Sequence, residues 1–261
     1  MTNDTNWSLT TRLVHEGERG ARIAGTPTSM PIYATATYLH PSAAELDQAF
    51  TDGGLVYGRY GNPTVNGFEV AVALLEGGVG AVAFGSGMAA LHAAILAAGT
   101  PRGATQPSFR HVLAARDMYG TTRTLLNDFF GAQGITTDFV DMGDLEAVKQ
   151  SIAARRPDVV VVEPISNPLL KLVDLPALTE LCRAAGARLV VDNTLPTPLM
   201  LRPLLQGADF AVHSATKYLG GHGDVIGGVV AARSRLPLDN LRTYSKLLGA
   251  VLGPFDARLL A

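Results

Sequence analysis

One lysine stands in a stretch whose neighbours suggest covalent chemistry. A strand-like run, Asp209 to Val212, leads into Ser214, Thr216 and Lys217, and glycines follow. A lysine amine can form an imine with an aldehyde, and the hydroxyls of serine and threonine can donate hydrogen bonds to a phosphate. The stretch therefore predicts a site for an aldehyde that carries a phosphate group, and an ordinary solvated lysine is the alternative.

Pyridoxal phosphate is such an aldehyde, and its enzymes hold it on a lysine side chain. The stretch from Asp209 to Gly223 resembles the cofactor-lysine signature of the Cys/Met-metabolism family of pyridoxal-phosphate enzymes. That family includes cystathionine γ-synthases, cystathionine lyases, methionine γ-lyases and O-acylhomoserine sulfhydrylases. The similarity extends from about Leu13 to the last residues. It implies that Lys217 is catalytic, holding pyridoxal 5′-phosphate as an imine, and that Ser214 and Thr216 bind the phosphate.

A glycine-rich turn, Gly85 to Ala90, follows one predicted strand and opens a helix. Free N–H groups at a helix N-terminus suit a phosphate, but the pattern Gly-x-Gly-x-x-Ala is also a dinucleotide fingerprint. Asp117, after the next strand, stands where a ribose-binding acid would be expected, and a plain tight turn is a third interpretation. The family resemblance favours the cofactor phosphate, with Gly87 and Met88 donating backbone N–H groups.

An acid also ends a buried strand, in the segment from Val190 to Thr194. A carboxylate beside the pyridine nitrogen of the cofactor keeps that nitrogen protonated, so that the ring can accept electrons from a carbanion. A turn-forming aspartate is the alternative for Asp192. Its place one strand before Lys217 favours the cofactor role.

Three further assignments depend on the resemblance alone. The segment from Asp117 to Thr122 is similar to the one whose tyrosine stacks on the cofactor ring, which implies that role for Tyr119, together with a possible role as acid for the leaving group. Tyr57 and Arg59 resemble residues that bind the phosphate in a neighbouring subunit. Asn167 resembles a residue that touches the cofactor or the substrate. Without the resemblance, a packing tyrosine and a surface arginine would be preferred.

Several other polar residues are expected to have no direct role. Glu163 and Asp174 are predicted to be structural, and Cys182 is predicted to be a packing thiol on a helix face. Thr121 stands where methionine γ-lyases usually carry a cysteine, which weakens that assignment. The six histidines show no spacing typical of metal ligands, so no metal is expected.

Short apolar runs alternate with amphipathic segments, and these elements must position the residues above. Two runs, Val159 to Val162 and Leu189 to Val191, are continuously apolar, as in strands buried on both faces of a parallel sheet. The alternation predicts an α/β fold, a mostly parallel sheet with helices on both faces. Local signals also predict a helix that begins at Pro63, a helix capped by Ser86, a helix over 119–130 and a strand over 225–232. Ligands bind at the carboxyl ends of such strands. The polar candidates stand at these ends: Ser86, Asp117, Glu163, Asp192, Ser214 and Lys217.

The resemblance implies the large domain of a fold-type-I pyridoxal-phosphate enzyme, similar to aspartate aminotransferase. Residues 1–62 are expected to form an extended N-terminal arm and intersubunit segment, 63–250 the cofactor-binding large domain, and 251–261 the start of a linker. In the family a smaller C-terminal domain follows and supplies the arginine that binds the substrate carboxylate. No residue here takes that role, so a fragment or a truncated chain is expected.

Composition argues against several classes of function. The chain has 261 residues, of which 47% are hydrophobic and 17% charged, with a formal net charge of -2. These values fit a large core and argue against a nucleic-acid surface. Apolar runs are too short to span a membrane, and residues 1–8 carry no apolar signal core. A single cysteine fits a reducing compartment, so a cytoplasmic protein is expected.

Together these features predict a β- or γ-elimination, or a γ-replacement, on a sulfur-containing or O-acylated amino acid. The family implies a homo-oligomer, a tetramer built as a dimer of dimers. Two alternatives stay open: a catalytically impaired truncated chain that still binds the cofactor, and a dinucleotide-binding domain that binds NAD. None of the residues above distinguishes a lyase from a synthase.

Overall fold

A computed structural model describes residues 7–13, 15, 27–101, 103–104 and 106–261, so much of the first half of the predicted arm and two positions of the loop 100–109 lie outside the described residues. The strands are β1 Gly80–Phe84, β2 His111–Ala115, β3 Thr136–Val140, β4 Val159–Val162, β5 Arg188–Asp192, β6 Phe210–His213 and β7 Gly228–Ala232. The α-helices are α1 Leu9–Arg12, α2 Ala43–Asp52, α3 Pro63–Glu76, α4 Gly87–Ala98, α5 Gly120–Thr124, α6 Leu145–Arg155, α7 Leu175–Ala185, α8 Thr197–Met200, α9 Arg235–Leu248 and α10 Pro254–Leu260.

Local signals set the ends of the helices beside the site. The side chain of Asn62 accepts hydrogen bonds from first-turn N–H groups of α3, and Gly77 ends that helix in the left-handed conformation, with φ 71°. Ser86 precedes α4, and its Oγ accepts the N–H of Ala89 at 3.1 Å. These contacts confirm the predicted helix from Pro63 and the predicted cap at Ser86.

The strands form one seven-stranded sheet in the order β1-β7-β6-β5-β4-β2-β3. The pairs β2–β3, β2–β4, β4–β5 and β5–β6 are parallel, and β7 is antiparallel to both β1 and β6. Because β1 and β6 both oppose β7, they run in the same direction, and only β7 is reversed. The prediction of a mostly parallel sheet is confirmed. The carboxyl ends of the other six strands therefore meet at one edge.

Helices cover both faces of this sheet, as predicted. In β1, Val82 and Phe84 are buried in the part of the core that contains α4, whereas Ala81 and Ala83 are buried in the part that contains α3. This alternation follows the two-residue period of a strand. Helix α4 also packs against β4 to β7, so its N-terminus is held over the edge where β4 to β6 end and β7 begins.

Two predicted elements differ from the structure. The strand predicted over 225–232 begins only at Gly228, because the backbone of Gly227 is bonded to the hydroxyl of Thr216, which accepts the Gly227 N–H at 3.0 Å. The helix predicted over 119–130 is divided into α5 and a π-helical segment, Leu125–Phe130. Among the described residues, no helix is both long enough and apolar enough to cross a membrane.

Candidate active site

A cavity of about 640 Å³ lies at the carboxyl edge of the sheet. All of the predicted site residues except Tyr57 and Arg59 line it. Those lining residues are Gly87, Met88, Tyr119, Asn167, Asp192, Ser214, Thr216 and Lys217. The ends of the strands thus bring most of the predicted site residues to one cavity.

Lys217 lies in the turn that follows β6. Its N–H donates to the carbonyl of Ser214 at 3.0 Å, and its carbonyl accepts the N–H of Gly221 at 2.8 Å. The side chain is exposed, yet it lines the cavity. The backbone of the turn is thus fixed while the amine remains accessible to a molecule in the cavity.

The N-terminus of α4 forms one end of the cavity. The N–H groups of Gly87 and Met88 belong to the first helical turn, where the helix itself offers no acceptor, and they carry the positive end of the helix dipole. A Cβ at residue 87 would lie only 2.7 Å from the Cβ of Ser214. Glycine is therefore required for the close approach of α4 to the Lys217 turn, and the two together form a place for an anion.

The hydroxyl of Thr216 is bonded to the backbone of Gly227. It donates to the carbonyl of Gly227 at 3.2 Å and accepts the N–H of the same residue at 3.0 Å. This hydroxyl therefore holds the Lys217 turn against the segment that leads into β7. Its role toward a phosphate stays a prediction.

Asp192 ends β5 and lines the cavity between the flanking strand ends. Its Oδ1 accepts the hydroxyl of Thr194 at 2.5 Å and the N–H of the same residue at 3.1 Å. Burial raises the pKa of this carboxyl, and the hydrogen bonds from Thr194 and the electrostatic interaction with His213 oppose the rise. A cationic group held against Asp192 would relieve the cost of burying its charge.

Thr194 is a functional neighbour that the sequence interpretation missed. Besides donating to Asp192, its Oγ1 accepts the N–H of Ser214 at 2.9 Å, so one hydroxyl joins the ends of β5 and β6. The available signal was a threonine two residues after a strand-ending aspartate, the spacing of a side-chain turn.

A fully buried polar cluster lies at these two strand ends. His213 is the last residue of β6, Asn193 directly follows β5, and Glu76 is the last residue of α3. The Nε2 of His213 lies 2.7 Å from Oε1 of Glu76, and the side-chain N–H of Asn193 donates to the same oxygen at 2.9 Å. All three side chains are at most 1% exposed. The cluster anchors the C-terminal end of α3 beneath the sheet edge that carries the cavity.

Glu163, which was predicted to be structural, also lines the cavity. Its Oε1 accepts the N–H of Tyr119 at 2.7 Å, and its Oε2 accepts the N–H of Asn167 at 2.9 Å. Burial raises the pKa of Glu163 to about 7. Two other predictions agree with the structure, since Asp174 caps α7 and Cys182 is buried with 2% exposure.

Tyr57 and Arg59 lie outside the cavity. The guanidinium carbon of Arg59 lies 5.4 Å from the ring centroid of Tyr57 and 5.0 Å from that of Tyr60, and its Nη1 donates to the carbonyl of Lys246. The sequence assigned these two residues to the site of a neighbouring subunit. That assignment stays a prediction.

The dinucleotide interpretation does not fit the topology. The fingerprint belongs to a parallel unit in which the strand before the glycine turn lies beside the strand after the helix. Among the described strands, β1 pairs with the antiparallel β7 alone, and β2 lies on the other side of the sheet, between β4 and β3. Asp117, the supposed ribose ligand, is in an ion pair with Lys171 at 2.6 Å. Within the described residues, no group of three His, Cys, Asp or Glu side chains could hold a metal ion.

The residues present do fit pyridoxal phosphate. One cavity contains an accessible amine at Lys217, an anion site where α4 closely approaches Ser214, and a carboxyl at Asp192 whose burial favours a cationic partner. These three groups match the aldehyde, the phosphate and the ring nitrogen of that cofactor. The fold and the site together are those of a large domain of a fold-type-I pyridoxal-phosphate enzyme.

Known proteins support the same class. The family described as Cys/Met metabolism PLP-dependent enzyme matches residues 10–261, and the chain belongs to that family. The chain is 38% identical over 255 residues to a cystathionine beta-lyase of Lactococcus lactis subsp. cremoris, which covers 97% of this chain and 62% of the relative. It is 40% identical over 257 residues to an L-methionine gamma-lyase of Fusobacterium nucleatum subsp. nucleatum. This match covers 95% of the present chain and 62% of the relative.

A solved structure shares the fold. The crystal structure of cystathionine gamma synthase from Xanthomonas oryzae pv. oryzae in complex with aminoacrylate and cysteine has a TM-score of 0.86 and 31% sequence identity, over 97% of this chain and 62% of that one. The chain therefore spans about 62% of the length of these relatives. Their names cover a β-lyase, a γ-lyase and a γ-synthase.

Proposed function

We propose that this chain is the cofactor-binding part of an enzyme that eliminates or replaces the β- or γ-substituent of a sulfur-containing or O-acylated amino acid. The observation that carries the proposal is the single cavity lined by Lys217, Asp192 and the N-terminus of α4. The names of the relatives give cystathionine and methionine as substrates, and both are sulfur-containing amino acids.

Each residue of the cavity has a proposed task. Pyridoxal phosphate, when bound, withdraws electrons from the α-carbon of an attached amino acid, so that its α-proton can leave. The amine of Lys217 would hold the cofactor covalently and, in its free form, would remove the α-proton of the amino acid. Asp192, oriented by Thr194, would hold the ring nitrogen. Tyr119 would bind the ring of the cofactor, and its hydroxyl would give a proton to the leaving group.

Phosphate binding and substrate contact are assigned to the remaining residues. The N–H groups of Gly87 and Met88 and the hydroxyls of Ser214 and Thr216 would bind the phosphate, and Asn167 would touch the cofactor or the substrate. Tyr57 and Arg59 would complete the phosphate site of a neighbouring subunit in a homotetramer, a dimer of dimers. The assignment to a neighbouring subunit is supported by the position of both residues outside the cavity of their own chain. 

The division of the chain follows from these roles. Residues 63–250 would form the cofactor-binding domain, residues 1–62 the intersubunit arm, and 251–261 the start of a linker, in a cytoplasmic enzyme. A second candidate is a catalytically impaired chain that binds the cofactor only. One observation favours this second candidate: among the described residues, no arginine lines the cavity. The carboxylate of a substrate would therefore lack its usual partner there.

The test begins with covalent attachment of the cofactor. The purified chain is incubated with pyridoxal phosphate, reduced with borohydride and analysed by peptide mass spectrometry, beside Lys217→Ala and the exposed-lysine control Lys149→Ala. We expect a visible absorption band and one modified peptide containing residue 217 in the wild type and in the control, and neither in Lys217→Ala. A band that survives Lys217→Ala would refute the proposal.

Activity then separates the two candidates. The loaded wild-type chain is assayed with cystathionine, methionine and O-succinylhomoserine for release of the α-keto acid and for replacement by added thiol. Turnover of any of them supports the enzyme. Attachment at Lys217 without any turnover supports the impaired chain.

A further inference from the structure

Two walls of the cavity come from loops that are distant in the sequence. Tyr119 follows β2, and Asn167 lies in the loop after β4. Their backbone N–H groups nevertheless share one acceptor group, since the two oxygens of Glu163 bind them at 2.7 Å and 2.9 Å. Glu163 comes directly after β4 and is 6% exposed. A single buried carboxylate thus spans the distance between the two walls.

A second contact links the same loops, but it lies on the outside. Lys171 donates to Asp117 at 2.6 Å, and the side chains are 51% and 22% exposed. Exposed ion pairs contribute little, typically under about 1 kcal/mol, because water screens them. Hydrogen bonds from N–H groups to a buried carboxylate are stronger and more directional. The relative position of the two loops therefore depends mainly on Glu163.

We propose that Glu163 is a positioning residue that fixes Tyr119 and Asn167 relative to each other, and so determines the geometry in which the cavity holds the cofactor. The proposal rests on the proposed function in one respect, because it takes Tyr119 and Asn167 as cofactor contacts. It goes beyond that function by assigning the geometry of the cavity to Glu163, to which the proposed function gives no task.

The chemistry of the side chain explains why a glutamate is needed. Above its pKa of about 7, the ionised carboxylate of Glu163 accepts hydrogen bonds on both oxygens, and both partners here are donors. A glutamine at residue 163 could accept only one of the two N–H groups, because its amide nitrogen would face the other donor. An aspartate has the right charge but is shorter by one methylene group, so it would not reach both loops.

The experiment compares Glu163→Gln and Glu163→Asp with a matched control, Asp209→Asn. Asp209 is equally buried, 5% exposed, and accepts the N–H of Leu189 at 3.0 Å, but it precedes β6 and so lies at the opposite edge of the sheet. Three quantities are measured: amide hydrogen exchange in the unliganded protein, the affinity for pyridoxal phosphate, and the circular dichroism that the protein induces in the bound cofactor.

In the Glu163 variants we expect faster exchange of the amide of Tyr119 or Asn167, a loss of most of the induced dichroism per bound cofactor, and an affinity about 10- to 100-fold weaker. The cofactor should still attach at Lys217. Asp209→Asn should lower stability, yet keep wild-type exchange at both amides and wild-type dichroism. This contrast separates positioning from a general loss of stability.

Unchanged exchange and dichroism in Glu163→Gln would overturn the proposal, and so would an equal loss in Asp209→Asn. If the wild type binds no pyridoxal phosphate, the proposed function fails by itself. The exchange measurement still decides whether Glu163 holds the two loops together, because it needs no cofactor.

Discussion

The contact between α4 and the Lys217 turn makes Gly87→Ala a sharp test of the phosphate site. The added methyl carbon would lie 2.7 Å from Cβ and 2.9 Å from Cα of Ser214. Carbon atoms normally approach to about 3.5–4.0 Å, so the overlap is roughly 1 Å. Neither atom of Ser214 can move away by a side-chain rotation, and the start of α4 must therefore shift away from the turn.

The magnitude follows from this forced shift. Inserting a methyl group into a packed interior costs about 1–3 kcal/mol. The shift also draws the N–H groups of Gly87 and Met88 away from Ser214, on the other side of the anion site. If the bound state carries this cost, affinity for pyridoxal phosphate falls by about 5- to 150-fold, since each 1.4 kcal/mol corresponds to about tenfold.

The assay compares pyridoxal phosphate with pyridoxal, which lacks the phosphate. Both are titrated into the wild type, Gly87→Ala and the control Gly131→Ala, and binding is followed by absorption. Gly131 has no atom within 4 Å of an added Cβ, so its variant should bind like the wild type, with an unfolding free energy changed by at most about 1 kcal/mol. Gly87→Ala should weaken the binding of pyridoxal phosphate and leave that of pyridoxal nearly unchanged.

Two outcomes would refute the reasoning. Wild-type affinity of Gly87→Ala for pyridoxal phosphate would mean that the close approach is not needed. An equal loss for both compounds would mean that the phosphate does not bind at the N-terminus of α4.

Two further predictions concern buried carboxyl groups. Burial raises the pKa of Glu69 from 4.5 to about 7, so the native state binds a proton more tightly than the unfolded chain. The resulting contribution to the free energy of unfolding is fully present below pH 4.5 and is lost as the pH rises through 7. In urea unfolding, the free energy of the wild type relative to Glu69→Gln should fall by about 3 kcal/mol over this range, and a difference independent of pH would contradict the assignment. Glu76→Ala leaves His213 and Asn193 buried without the oxygen that both contact, and it should lower the free energy of unfolding by about 3–5 kcal/mol in the same assay. The exposed control Glu146→Ala should change it little, and a loss below about 1 kcal/mol in Glu76→Ala would contradict the role of the cluster.

Much of the fold could be predicted because its signals are local. The cap at Ser86, the proline that begins α3 and the glycine that ends it act on N–H and carbonyl groups within one helical turn. Continuous apolar runs such as Val159–Val162 similarly indicate strands buried on both faces. The start of β7 was misplaced because it depends on a distant hydroxyl, that of Thr216.

The candidate site could be predicted only as a set of strand ends. Residue types at those ends identified Lys217 and Asp192, and the resemblance to a family added Tyr119 and Asn167. Thr194 was missed, and Glu163 was predicted to be structural without any indication of its partners. Each accepts a hydrogen bond from a distant residue: Thr194 from the N–H of Ser214, 20 positions away, and Glu163 from the N–H of Tyr119, 44 positions away.

Local sequence signals predicted most of the strands and helices and identified Lys217 as the amine proposed to hold the cofactor, because such signals depend on a few neighbouring residues. The tertiary structure was needed to show that the strands lie in the order β1-β7-β6-β5-β4-β2-β3 and that Glu163 reaches the loop of Tyr119. The order of strands in a sheet depends on how all helices together cover both faces, and the partners of a buried carboxylate depend on which loops that order brings into contact. No short stretch of the chain contains either piece of information.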